Sequence, residues 1–184
     1  MAWLTFILIG LVLLIILIFL YYFNRFVLLG NRIDNSLSQI DVQLKRRADL
    51  IPNLVESVKG FAKHEKAAIS AVTEARKAMV SAKGIEKKIK ANDQLESALK
   101  TIFAIAEGYP DLKANTNFLE LQRELAATED RVAYSRQYYN DSILRYNDLC
   151  KAMPGLFFAR LYGKTPREYL KIAESERKNI KVEF

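Results

Sequence analysis

The sequence predicts an all-α protein, in which an N-terminal transmembrane helix precedes an antiparallel up-and-down helical bundle of about four long helices and a short C-terminal helix. Apolar residues recur at alternating spacings of three and four, which is the periodicity of an amphipathic helix. No alternating pattern of useful length indicates a strand. The 184 residues include only 7 Gly and 4 Pro, which is too few for a fold built on many tight turns.

An uncharged run from Ala2 to Phe23 predicts the transmembrane helix. A helix of this length spans about 33 Å, which is enough to cross a hydrocarbon core of about 30 Å. Trp3 lies at one end and Tyr21 and Tyr22 at the other, where aromatic belts form. No Lys or Arg precedes the run and no small-residue cleavage site follows it, so a retained anchor is favoured over a signal peptide.

Flanking charge predicts the orientation of this anchor. No basic residue lies on its N-terminal side, whereas Arg25 and Arg32 follow it. The positive-inside rule therefore places the N-terminus outside and the rest of the chain in the cytoplasm. We expect a single-pass protein of the cell membrane, with an anchor and juxtamembrane segment at residues 1–29 and a helical-bundle domain at residues 30–184.

The apolar stripes predict where the helices begin and end. The first amphipathic helix runs from about Ile33 to Ala62, with a kink or short break at Pro52, where Asp49 can cap a new start. Further helices are predicted at about 65–82, 86–107 and 116–152, separated by turns at residues 83–84 and 108–111. Pro154 and Gly155 stop the longest helix, and a last short helix opens at Thr165 with proline at its first helical position.

Composition argues against most enzyme and metal-site chemistry. One cysteine, Cys150, and one histidine, His64, cannot form a disulfide or a zinc site of the usual kind. His64 and Glu65 begin like an H-E-x-x-H motif, but Ala68 occupies the position of the second histidine. Cys150 falls on an apolar stripe and is predicted to be a core residue. No glycine-rich phosphate loop is recognisable, so we predict no enzyme, no cofactor and no small-molecule substrate.

The net charge of +7 concentrates in two basic clusters, one at residues 45–47 (KRR) and one formed by four lysines around Gly84. Ordinary solvated helix faces account for many such runs. Anionic lipid attracts basic patches by about 1 kcal/mol per charge, within a Debye length of the membrane. Nucleic acid is not favoured, because no aromatic interleaving or recognition motif accompanies the charge. The second cluster consists of Lys83, Lys87, Lys88 and Lys90.

Residues 41–55, DVQLKRRADLIPNLV, resemble the hallmark of the LemA family. The likeness continues at residues 58–65 (VKGFAKHE), 74–76 (EAR), 107–115 (EGYPDLKAN) and 118–122 (FLELQ), and in two Tyr-Asn steps that begin at Tyr139 and Tyr146. The resemblance implies a prokaryotic single-pass membrane protein with an extracellular N-terminus and a helical bundle. Members are thought of as membrane-associated accessory proteins, some linked with membrane proteolysis or remodelling. No catalytic residue is assigned in the family.

Candidate interaction or structural residues come from this motif and from polar or aromatic positions that packing does not demand. Lys45 and Asp49 can pair one helical turn apart. Arg46 or Arg47 can reach the acidic turn at residues 109–111 if those ends of the bundle meet. Tyrosine is favoured at interfaces because it combines a large area with a hydrogen-bonding tip. The candidates are Lys45, Arg46, Arg47, Asp49, Pro52, His64, Glu65, Tyr109, Pro110, Asp111, Tyr138, Tyr139 and Tyr146.

The favoured function is that of a non-enzymatic scaffold or adaptor in membrane protein quality control or membrane organisation. Its bundle is expected to dock a protein partner or a second copy of the chain. The alternative is binding of anionic lipid or nucleic acid through the basic clusters. Salt separates the two, because binding through counterion release falls steeply with ionic strength and an apolar docking face does not.

Overall fold

A computed structural model of the protein describes residues 2–170, and all the regular structure in this part of the chain is helical. The prediction of an all-α fold with a helical bundle is thereby confirmed. The predicted bounds of the second, third and longest helices agree with the structure within one residue at each end. The helices of the described residues are α1 (Ala2–Phe61), α2 (Lys66–Ser81), α3 (Ile85–Ala106), α4 (Pro110–Lys113), α5 (Thr116–Lys151) and α6 (Gly155–Leu161).

Of the kink or short break predicted at Pro52, the break is wrong, because α1 continues through this residue; the kink stays a prediction. Proline has no N–H, so the carbonyl of Ala48, one turn earlier, loses its helical donor. Arg76 of α2 replaces that donor, since its Nε donates to the Ala48 oxygen at 2.8 Å. Asp49, predicted as a cap, accordingly lies inside the helix. The predicted boundary between anchor and bundle, at residues 29 and 30, also falls within α1 and stays a prediction.

The chain divides into two compact units, whose described parts are residues 2–36 with 137–169 and residues 37–136 with Leu170. In the first unit, α1, α5 and α6 enclose a core rich in aromatic rings. Phe26 meets Tyr146 edge to face, with ring centroids 5.9 Å apart. The buried residues of this core are Phe26, Leu29, Ile33, Ile143, Tyr146, Cys150, Phe158 and Ala159.

The turn between α5 and α6 depends on a glycine. Pro154 and Gly155 end α5 as predicted, but the chain re-enters a helix at once, and α6 was not anticipated. A Cβ at Gly155 would lie 2.2 Å from the carbonyl oxygen of Leu149, which is closer than any side chain tolerates. The absence of a side chain at Gly155 therefore allows α6 to fold back against the end of α5.

The short helix predicted from Thr165 does not begin there, because residues 164–170 have no regular structure. The side chain of Asn147 binds both backbone groups of Arg167. It donates to the Arg167 oxygen at 2.9 Å and accepts from the Arg167 N–H at 2.8 Å. A helix opening at Thr165 would leave the Arg167 N–H in its first turn free, but it would need the Arg167 carbonyl as an acceptor of its own. The remainder of that predicted helix lies outside the described residues.

The second unit contains the up-and-down arrangement that the sequence predicts. Lys88 pairs with Asp41, and Tyr109 with Glu65, so α3 advances along α1 in the same direction. The short turn between α1 and α2 and that between α2 and α3 each reverse the chain. Gly84 occupies the second turn with φ of +85°, a backbone conformation that favours glycine.

The last long helix of this unit, α5, runs opposite to α3. Phe103 packs edge to face on Phe118 near the start of α5, with centroids 6.1 Å apart. Glu96, seven residues or about two turns before Phe103 in α3, interacts with Glu129, which lies farther along α5. Most predicted inward residues are buried, although Val55 is half-buried and its neighbour Leu54 takes the inward position. Leu37, Ile69, Leu121 and Tyr139 are half-buried as well.

Candidate functional site

Arg47 is buried among three helices of the second unit. Its side chain is 1% exposed. The Nη1 group donates to Oδ1 of Asn92 in α3 at 3.0 Å, and Nη2 donates to Oε2 of Glu129 in α5 at 3.3 Å. Burial lowers the pKa of Arg47, and the negative charges of Glu129, Glu96 and Asp93 oppose that shift. An arginine at this depth is retained because carboxylates from two other helices compensate its charge.

A second cation and a second carboxylate complete this group. Lys100 Nζ lies 2.5 Å from Oε1 of Glu96, and this hydrogen bond is the main reason that the pKa of Lys100 is raised. Burial raises the pKa of Glu129, the nearby Glu96 raises it further, and Arg47 and Lys100 oppose both effects. We call Arg47, Asn92, Glu96, Lys100 and Glu129 the Arg47 cluster. Its charges are balanced, so its geometry supports a structural role that ties α1, α3 and α5 together.

Arg46, the neighbour of Arg47, is exposed and binds Glu124 of α5, with Nη2 2.7 Å from Oε2. Neither arginine reaches the turn at residues 109–111, so that expectation is wrong. The pairing of Lys45 with Asp49 is likewise not among the ion pairs that the structure shows in this segment.

The turn at residues 109–111 instead meets the connection between α1 and α2. The hydroxyl of Tyr109 donates to Oε1 of Glu65 at 3.0 Å, and this bond raises the pKa of Tyr109. The reason is helical register. Tyr109 lies 17 residues beyond Asn92, and Glu65 lies 18 beyond Arg47, its contact in α1. Since α1 and α3 run in the same direction, these nearly equal offsets place Glu65 and Tyr109 at the same height along the two helices.

One face of α1, within the motif at residues 41–55, opens onto a cleft. Asp41, Lys45 and Asp49 follow each other at intervals of four residues, so they share this face. Together with α2 and Lys88 of α3 they enclose about 360 Å³. Lys88 Nζ lies 2.6 Å from Oδ1 of Asp41. We call this feature the Asp41 cleft. Its lining residues are Asp41, Val42, Leu44, Lys45, Ala48, Asp49, Arg76, Met79, Val80 and Lys88.

Apolar and charged groups meet at the Asp41 cleft. Leu44, Ala48 and Met79 form a buried floor, whereas the side chains of Val42 and Val80 are 57% and 62% exposed. Acidic and basic groups stand around them. Such a surface can accept an apolar side chain of another molecule and orient the charges beside it.

The other candidate residues are distributed over both units and do not form one site. His64 is exposed in the turn after α1, and Asp111 is exposed in α4, which begins at Pro110. Tyr138 is exposed and Tyr139 is half-buried against the core of the first unit, to which the buried Tyr146 belongs. Cys150 is buried in that core, and burial raises the pKa of its thiol.

Several residues of these sites escaped the sequence prediction although a signal for them existed. Asn92 lies three residues from both Ile89 and Leu95, so it occupies the inward stripe of α3. Arg76 lies four residues after Val72 and three before Met79. A polar residue at an inward position indicates a buried polar contact. The identity of the partner on another helix, however, is not encoded in the spacing.

These features define a class of all-α proteins in which an apolar N-terminal helix continues into a helical bundle. Among the described residues, α1 is the helix long and apolar enough to cross a membrane. The sequence model of the LemA family matches residues 36–184, and the chain belongs to this family. The resemblance carried by residues 41–55 is thereby confirmed.

Two curated relatives share this similarity. The chain is 27% identical over 173 residues to the magnetosome protein MamQ of Magnetospirillum gryphiswaldense, covering 80% of this chain and 64% of the relative. It is 27% identical over 119 residues to protein LemA of Metamycoplasma hominis, covering 64% of this chain and 54% of the relative. The chain therefore spans less than two thirds of the length of either relative.

Proposed function

We propose that this protein is a single-pass membrane scaffold without a reaction of its own, which docks another polypeptide in the Asp41 cleft. The observation that carries the proposal is the cleft itself. It combines a buried apolar floor, two exposed valines and charges of both signs, contributed by one face of α1 together with α2 and α3. Packing within the bundle does not require Val42 and Val80 to be apolar, because both are mostly exposed.

The proposed ligand is an apolar side chain of a partner, flanked by charged residues. Helices dock in grooves through apolar anchors, and charges at the rim set their orientation. The ion pair between Lys88 and Asp41 and the bond from Arg76 to the Ala48 carbonyl hold the walls in place. A preformed cleft needs little reorganisation on binding, which favours affinity.

Membrane attachment is the second part of the proposal. The exposed apolar side chains of residues 2–23 support a membrane span, and Arg25 and Arg32 support a cytoplasmic bundle with the N-terminus outside. MamQ is, by its name, a magnetosome protein. We therefore propose that the docked partner is a membrane-associated protein and that the scaffold acts in membrane organisation or protein quality control.

The basic clusters give weaker support to the alternative of lipid or nucleic-acid binding. Arg47 is buried, Arg46 binds Glu124, and Lys88 of the second cluster binds Asp41. These contacts reduce the positive charge that the two clusters present to an anionic ligand.

Site-specific photo-cross-linking in intact membranes tests the docking proposal. A photoreactive residue in place of Val42 is expected to yield one defined adduct, with a partner or a second copy, that is lost when Val80→Asp is added. The same group in place of the exposed Arg123 of α5 is the control and is expected to yield none. The adduct is expected to persist at high salt, because the contact is apolar. Absence of any adduct at Val42, or equal labelling from Arg123, would contradict the proposal.

A further inference from the structure

Helix α6 packs against the end of the apolar run of α1. The ring of Phe158 stacks on Tyr22 with centroids 4.3 Å apart and meets Phe19 edge to face at 5.2 Å. The ring of Tyr162 packs edge to face on Phe23, with centroids 5.7 Å apart. The Tyr162 hydroxyl donates to the carbonyl oxygen of Phe19 at 2.8 Å. These contacts all lie within the first unit, so they fix α6 at the level of residues 19–23.

That level corresponds to the edge of a membrane. A helix from Ala2 reaches Phe19 after about 26 Å and Phe23 after about 32 Å, against a hydrocarbon core of about 30 Å. Tyr21 and Tyr22 lie where an aromatic belt is expected. If α1 crosses the bilayer, α6 therefore lies beside the boundary between acyl chains and headgroups.

The side of α6 that faces away from the core of the first unit is apolar. Gly155, Phe158 and Ala159 are buried, whereas Phe157 and Leu161, four residues apart, are each 54% exposed. Met153, in the turn before α6, is 75% exposed. We call these three exposed side chains, two on α6 and one in the turn before it, the stripe; they need a covering partner, because water disfavours such a patch.

Basic residues accompany this stripe. Residues 149–164 contain Lys151, Arg160 and Lys164 and no acidic residue. Arg160 directly precedes Leu161 in α6, Lys164 follows three residues after the helix ends, and all three basic residues are exposed. Apolar side chains beside an unbroken set of positive charges are typical of helices that lie in the interface of an anionic membrane.

We propose that α6 and the turn before it lie in the membrane interface. Met153, Phe157 and Leu161 enter the acyl region, and Lys151, Arg160 and Lys164 bind anionic headgroups. The inference rests on the membrane span of the proposed function, since the bilayer reaches α6 only if α1 is inserted. The protein then contacts the membrane at two places, the span and an interfacial helix that packs on its end.

Tryptophan fluorescence of the full chain in vesicles tests this inference. The protein has one tryptophan, Trp3, so Trp3→Phe provides a silent background for Phe157→Trp. The matched control is Tyr138→Trp, because Tyr138 is exposed and belongs to the same unit. It lies on α5 eight residues, or about 12 Å, before the core residue Tyr146, in the direction away from α6. The vesicles contain phosphatidylcholine and phosphatidylglycerol, with dibrominated phosphatidylcholine as the quencher.

Phe157→Trp is expected to emit at shorter wavelength than Tyr138→Trp and to be quenched several-fold more strongly. Its quenching is expected to increase with the fraction of phosphatidylglycerol, and Lys151→Gln, Arg160→Gln and Lys164→Gln together are expected to remove that dependence. Circular dichroism of each variant checks that the helices are intact. Blue-shifted but unquenched emission from Phe157→Trp would mean that protein covers the stripe, and would overturn the inference.

Trp3 of the unmodified protein separates this inference from the proposed function. Quenching of Trp3 without quenching of Phe157→Trp would overturn the interfacial position of α6 and leave the membrane span intact. Absence of quenching at Trp3 would overturn the span, and the interfacial helix with it.

Discussion

Two adjacent arginines show how environment decides what one residue contributes. Arg47 is buried and bound to Asn92 and Glu129, whereas Arg46 and its partner Glu124 are both more than a third exposed. Removing Arg47 leaves a cavity and takes the donor away from the buried Asn92, whereas Glu129, whose side chain is 44% exposed, can be solvated by water. An exposed pair loses little, because water and salt screen it.

Arg47→Ala is therefore expected to lower the free energy of unfolding by about 2–5 kcal/mol, because a cavity remains and Asn92 loses its partner. Arg46→Ala, the matched control, is expected to lower it by at most about 1 kcal/mol. Denaturant unfolding of the full chain in mild detergent, followed by circular dichroism, measures both. Equal effects of the two substitutions would show that burial does not distinguish these arginines.

Pro52 and Arg76 are expected to depend on each other. Arg76→Met keeps the aliphatic part of the side chain but leaves the Ala48 carbonyl without a donor, which is expected to cost about 1–3 kcal/mol. Pro52→Ala returns a backbone N–H to that carbonyl, so the same Arg76→Met substitution is expected to cost much less in this background. A double-mutant cycle measures the coupling. The exposed Lys77 is the control, and Lys77→Met is expected to show no coupling to Pro52.

The carboxyl of Glu129 is expected to give stability a specific pH dependence. Its pKa is raised, mainly by burial and then by Glu96, so the folded protein holds this proton more tightly than the unfolded chain does. Its contribution to the free energy of unfolding therefore falls as pH rises from the ordinary carboxyl pKa to the raised one. Glu129→Gln is expected to remove this slope and Glu124→Gln to keep it, when unfolding is measured across the acidic to neutral range. Parallel curves for wild type and Glu129→Gln would contradict this expectation.

At the scale of the elements, the stability of the second unit comes from the apolar stripes of its helices. Leu44 of α1 and Leu125 of α5 are both buried. Leu→Ala at either position is expected to lower the free energy of unfolding by about 2–5 kcal/mol, because burial is lost and a cavity remains. Val80→Ala, at an exposed position of α2, is expected to change it by less than about 0.5 kcal/mol. Unfolding in mild detergent measures all three, and a small effect at Leu44 would place α1 outside the core.

The bounds of α2, α3 and α5 were predictable because each helix has a long, mainly apolar stripe and a clear turn on both sides. The continuity of α1 was not, since the donor that compensates for Pro52 lies on another helix, 28 residues farther along the chain. Helix α6 has only seven residues, too few for a periodic pattern to emerge. Local sequence therefore predicts helices well where no residue from elsewhere changes the outcome.

The candidate site was predictable only in part. The motif at residues 41–55 directs attention to α1, but the sequence does not separate the buried Arg47 from the residues that line the cleft. Arg47 lies three residues after Leu44 and four before Ile51, so its inward position can be read from spacing. Its contacts with Asn92 and Glu129, and the cleft formed with Arg76 and Lys88, required the tertiary arrangement. The sequence does not indicate which carboxylate a given basic residue will contact, because many carboxylates are equally suitable.

At the scale of the whole molecule, orientation in the membrane is the expectation that most affects function. A reporter that is active only in the cytoplasm is expected to be active when fused after Phe184 and inactive when fused before Met1. Gln in place of Arg25 and Arg32 is expected to reduce the active fraction, since these charges direct the orientation. Activity from the N-terminal fusion would reverse the assignment and place the Asp41 cleft outside the cell.

The composition of the first unit has a consequence for the order of events during synthesis. Its core joins Phe26 to Tyr146, which are 120 residues apart, whereas residues 37–136 between them belong to the second unit. A ribosome delivers the apolar run first and its packing partners, α5 and α6, only after the whole intervening segment. Contacts so distant in sequence form late, because a long loop must close before they stabilise anything. During translation the aromatic residues of the first unit on α1 therefore remain without their partners, whereas α2 can already pack on α1 and α3.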